Sequence, residues 1–249
     1  MKQYYKTVLI TSVVSISGCD FGDVFEFDED DIAQRISTII SEEYEENLES
    51  STAVSASTSA MKYSRKQSSG SVICGDVLDD RSLSSAVGDC LKLREIALTG
   101  GGVQWFTSSP SKQLMDAWSY SASDESNNKN NTYAFIFDDY FNSQYEQFAA
   151  FRMDGEGVEQ GKRWCQNLNK VRFAGQENWR IPSTSELKVL YSKSSDLFSN
   201  FGWPTGLVYW TSDSGGYYLN SFCLESGVVD EFSYEEDSYY VSCVTEPIF

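Results

Sequence analysis

Trp179-Arg180-Ile181-Pro182-Ser183-Thr184-Ser185-Glu186-Leu187 marks the point where the chain enters a helix and, shortly afterwards, changes its periodicity. Pro182 disfavours helix in the residue before it, and Ser183-x-x-Glu186 has the capping-box spacing that satisfies free amides of a first helical turn. Leu187, Leu190 and Tyr191 follow at helical steps and supply a buried stripe. Beyond them the pattern becomes that of strands: Val208 to Ser212, Tyr217 to Leu224, Gly227 to Phe232 and Tyr239 to Thr245, with a turn at Ser226-Gly227. Upstream, Ala134 to Phe137 and Phe148 to Met153 read as strands, and Ser121 to Asn131 reads as a polar loop. Val158 to Leu168 predicts another helix, with Trp164, Cys165 and Leu168 on one side and Glu156 and Glu159 favouring its N-terminal dipole. Strands, two helices, then an antiparallel group specify an α+β domain.

Further outward, the polar stretch ending near Gly70 leaves roughly 180 residues for one globular domain, residues 72–249. Residues 49–71 are rich in Ser, Thr and Ala and read as a flexible linker. Between Asp28 and Leu48, Ile32, Ile36, Ile39, Ile40, Tyr44 and Leu48 recur with helical spacing. That pattern fits either a partly disordered spacer or a short amphipathic helix that docks on something, because isolated helices of this length are marginal. Residues 20–50 carry 12 Asp and Glu against Arg35 alone, within a chain of net charge -18. Nucleic acid is excluded as a partner, since phosphates require a basic face. The complete absence of histidine removes the commonest general base and the usual triads. No carboxylate pair stands out by spacing, so the chain is read as non-enzymatic.

At the N-terminus, Lys2 and Lys6 precede a short apolar run of Val8, Leu9, Ile10, Val13 and Val14, too short for a stable membrane span. Ile16-Ser17-Gly18-Cys19 then resembles the lipobox of bacterial lipoproteins. The resemblance implies loss of residues 1–18 as a signal peptide and acylation of Cys19, with the membrane as a partner, whereas an ordinary secretory signal is the competing reading. Asp20 resembles an inner-membrane retention signal in some bacteria, so the inner or outer membrane, and the periplasmic side or cell surface, all stay open. Five further cysteines, in an exported chain, favour disulfides over metal or redox sites. Local spacing favours Cys74 with Cys90, a closure contributing about 3 kcal/mol in the chain-entropy model. An odd number leaves one cysteine over.

Trp164-Cys165-Gln166-x-Leu168, Phe173-Ala174-Gly175, Trp179 to Leu187, Trp203-Pro204-Thr205, Tyr209-Trp210-Thr211-Ser212 and Val241-Ser242-Cys243-Val244 together resemble the Lcl C-terminal domain family. The likeness covers about residues 148–244, and Phe106 to Ser111 looks like a lead-in to such domains. It implies a C-type-lectin-like fold in an exported, invasin- or intimin-like protein, and a disulfide between Cys165 and Cys243. Cys223 is then left over, as a small buried hydrophobe or an intermolecular link. Trp203, Tyr209, Tyr217 and Tyr218 fall where lectin-like folds bind ligands, while Trp179 and Trp210 are assigned to the core and Arg180 to a carboxylate such as Glu186. None of the calcium-arranging triplets Glu-Pro-Asn, Gln-Pro-Asp or Trp-Asn-Asp occurs. No metal or other cofactor is therefore assigned, and Glu235, Glu236 and Asp237 read as a solvated turn. The chain is expected to be a lipid-anchored binding or adhesion module for a glycan or protein; the alternative is a structural or assembly lipoprotein of a cell-envelope complex.

Overall fold

A computed structural model describes residues 72–249, apart from 126–129, 142–143, 156–158, 195 and 216. The expected signal peptide, Cys19, the acidic segment and the Ser/Thr-rich linker lie outside the described residues. The architecture is α+β, as the change of period at Pro182 predicts. Strands β1 (Leu93–Ala97) and β2 (Val103–Thr107) form an antiparallel hairpin. Helix α1 (Lys112–Ala117) follows, then β3 (Ser121–Ala122) in a short parallel pair with β4 (Thr132–Tyr133). Strands β5 (Phe135–Phe141) and β6 (Gln144–Ala150) pair antiparallel. Helices α2 (Gln160–Lys170), α3 (Thr184–Lys193) and α4 (Leu197–Phe201) lead to a three-stranded antiparallel sheet of β7 (Tyr209–Ser214), β8 (Leu219–Phe222) and β9 (Val229–Ser233).

Two of the four helices match the expected pair. At α3, Ser183 and Glu186 form the reciprocal capping box. The two additional helices are short and locally capped: Ser111 Oγ accepts from Leu114 N at 3.0 Å, and Asp196 Oδ1 accepts from Ser199 N at 2.9 Å. Such side chains replace missing helical partners for the first amides, which is how pieces too short for a periodic signal persist.

The last expected strand, Tyr239 to Thr245, is instead a thread of single bridges. It touches Phe151 through Tyr239, Tyr209 through Tyr240, and both Phe106 and Arg180 through Val244. Backbone bonds at 2.7–3.1 Å carry these junctions, including Val244 N to Arg180 O and Phe151 N to Tyr239 O. Its buried Tyr240, Val241, Cys243 and Val244 therefore join the two apolar clusters of the core. The Cys165–Cys243 disulfide, with Cα atoms 5.6 Å apart, ties α2 to the same thread. In one cluster Trp164 is enclosed by Trp118, Tyr120 and Phe151, with ring centroids 5.3, 5.5 and 6.2 Å away. The second disulfide, Cys74–Cys90, closes the start of the domain.

Arg180 has the expected partner. Its guanidinium grips Glu186 with two bonds of 2.8 Å, and Glu186 also accepts from Ser183 N and Gln104 Nε2. Burial would raise the Glu186 pKa, but the bonds from Arg180, Ser183 and Gln104 outweigh it and hold the carboxyl at about 2.

Candidate ligand surface

The four aromatic residues expected at a ligand surface divide into two pairs. Trp203 and Tyr209 have no exposed surface, and the Tyr209 hydroxyl donates to the Pro204 carbonyl at 2.7 Å. They pack in the core with Phe106, Phe148, Leu187 and Tyr240, which corrects their assignment: a buried ring offers no face on which a ligand can stack. Tyr217 is 97% exposed in the connection between β7 and β8, and Tyr218 beside it is half-buried.

Tyr218 does not stand alone. Its ring meets Phe232 at 5.9 Å and Tyr234 at 5.0 Å, both edge-on. Phe232 is 70% exposed and Tyr234 52%, so the β8 and β9 end of the sheet presents a solvent-facing aromatic group. Strand alternation explains it: on β9, Ser233 turns inward and bonds Ser221 Oγ at 2.9 Å, which turns Phe232 outward. Asp237 Oδ2 accepts from Tyr234 N at 3.0 Å and from the Tyr239 hydroxyl at 3.2 Å, fixing the end of the strand. The hydrogen bond with Tyr218, followed by the nearby charges of Glu236 and Asp237, holds the Tyr234 hydroxyl pKa above its ordinary value. Phe232 and Tyr234 were not anticipated from sequence, although Phe232 ends an expected strand and its outward phase was open to reading.

A separate cleft of about 690 Å³ is lined by Asp139, Tyr191, Ser194, Asp196, Thr205 and Glu225, among others. Asp139, only 2% exposed, acts as an internal splint. Its carboxylate accepts from Thr205 N and Gly206 N at 2.9 Å and from the Tyr240 hydroxyl at 3.1 Å. A Cβ at Gly206 would lie 2.7 Å from Asp139 Oδ1, so glycine is what lets this loop close on the carboxylate. Among the described residues no group of three or more His, Cys, Asp or Glu is placed to hold a metal ion.

Cys223 was expected to be the cysteine left over. It is 2% exposed, as a small hydrophobe would be, but it is disulfide-bonded, and its partner lies outside the described residues. No helix of the described residues is long and apolar enough to cross a membrane.

A family model described as an adhesion domain (InvE_AD) matches residues 120–244, from the short β3 and β4 pair through the aromatic sheet to the thread that carries Cys243. The match is to this domain and does not itself show the Lcl grouping suggested by the motifs. No curated protein matches the chain. With half of its length matched, this chain belongs to the adhesion domain family.

Proposed function

We propose that the chain is an exported adhesion module whose ligand contacts the exposed aromatic group of Tyr217, Tyr218, Phe232 and Tyr234. The observation that carries this is the exposure of Tyr217, Phe232 and Tyr234 beside the half-buried Tyr218. Large aromatics normally enter the core, and a cluster left in solvent offers stacking area at low entropic cost. Membership of an adhesion family supports a binding role. The motif string from Trp164 to Val244 supports the finer Lcl-like, C-type-lectin-like placement. The test is a glycan array and host-surface binding assay on the full chain, with and without calcium, beside Tyr217→Ala/Phe232→Ala. Binding that disappears in the variant supports the proposal; equal binding by both proteins rejects it.

The anchor belongs to the same proposal: acylation at Cys19 would hold the module at a bacterial envelope membrane. Palmitate labelling that is lost in Cys19→Ser supports the anchor. A chain that takes up no palmitate rejects it.

A further inference from the structure

We infer that the occupant of the aromatic face is a cationic, arginine-bearing segment of a protein partner. This rests on the reading of that face as the ligand surface and names the chemistry of what it takes. Lys193 is the last cation in the sequence; residues 194–249 contain nine Asp and Glu and no Lys or Arg. Histidine is absent from the chain, so no side chain of this stretch carries positive charge.

Five of these carboxylates belong to the aromatic sheet and the turn that follows it. Asp230 and Glu231 lie on β9, and Glu235, Glu236 and Asp237 follow Tyr234 directly. Glu231, Glu235 and Glu236 are exposed, while Asp230 and Asp237 are half-buried and accept from backbone amides of Phe232 and Tyr234. Among the described residues none of the five forms an ion pair, whereas Arg152, Arg180 and Lys92 elsewhere in the domain do. Aromatic rings on a sheet that carries these carboxylates, with Asp237 bonded beside Tyr234 and no ion-pair partner for the five among the described residues, match a guanidinium. It stacks flat on Tyr or Phe while its N–H groups reach carboxylates.

Charge also selects among occupants. A neutral glycan would use the rings but would leave the carboxylate rim without a role.

The test uses the full chain with an octa-arginine peptide, an octa-lysine peptide and a neutral oligosaccharide panel, read by fluorescence anisotropy across salt concentrations. Octa-arginine is expected to bind several-fold more tightly than octa-lysine, because stacking favours the planar cation, and to weaken as salt rises. Tyr217→Ala/Phe232→Ala should cost about tenfold in octa-arginine affinity. Glu235→Gln/Glu236→Gln should weaken it and flatten the salt dependence, with the melting temperature of both variants unchanged. Octa-arginine binding that ignores the aromatic substitutions would be attraction to the overall charge and overturns the inference. Oligosaccharide binding that those substitutions abolish, without peptide binding, overturns the cationic partner and leaves the ligand surface standing. Loss of concentration-dependent self-association in the same variants identifies a second copy as the occupant and likewise overturns it. If some probe binds and none responds to the variants, the surface reading itself fails.

Discussion

Trp203 and Tyr209 on one side, and Tyr217 and Tyr218 on the other, are the same kind of residue within fifteen positions of sequence, yet they have opposite fates. The first pair is covered completely; Tyr217 is almost fully in solvent. What separates them is the chain that comes back over them. Trp203 and Tyr209 lie under Phe106, Phe148 and Tyr240, contributed by β2, β6 and the C-terminal thread, whereas Tyr217, Phe232 and Tyr234 stay exposed, with no covering segment among the described residues. Aromatic content thus marks a region in which core and surface are both candidates, and long-range topology decides between them.

That contrast can be broken experimentally, beginning at its buried side. Trp203→Ala removes a fully enclosed indole and should destabilise the domain by about 3–5 kcal/mol, measured by chemical denaturation. A loss within surface range would mean that Trp203 is not core. Glu186→Gln, which removes the charge that bridges Arg180 and the α3 cap, should cost about 1–2 kcal/mol at neutral pH. Its pH dependence has a definite sign. The folded-state pKa of Glu186 lies at about 2, below its ordinary value of 4.5, so its contribution is present above 4.5 and is lost as pH falls towards 2. The native protein should therefore lose more stability than the variant across that acid window; parallel curves would contradict the Arg180 clamp. Tyr209→Phe keeps the ring but strands the Pro204 carbonyl, and should cost about 1 kcal/mol with no effect on ligand binding. An effect on binding alone would return Tyr209 to the ligand surface.

Sequence made the local features legible. The Ser183 and Glu186 cap is written within four residues, and its chemistry needs no distant partner. The pairing of Cys74 with Cys90 was also accessible from proximity along the chain. The β1 and β2 hairpin escaped notice because Gly100, Gly101 and Gly102 separate two strands whose burial is uneven: β2 carries half-buried Val103 and Trp105 beside buried Gln104 and Phe106. Asp139 was hidden for a different reason. Asp138-Asp139 looks like solvated charge, yet Asp139 is buried by amides from Thr205 and Gly206, more than sixty residues away. The exposed aromatic face lies between these limits: Tyr217 and Tyr218 follow from the lectin-like resemblance, whereas the exposure of Phe232 and Tyr234 depends on how β9 pairs with β8.

The central claim is that the exposed pair member binds while the buried pair member folds. Thermal melting and surface-binding assays on the full chain and on Tyr217→Ala/Phe232→Ala test it together. Removing two exposed rings should change stability by no more than about 0.5 kcal/mol, and ligand binding should be lost. Full ligand binding by that stably folded variant would contradict the claim.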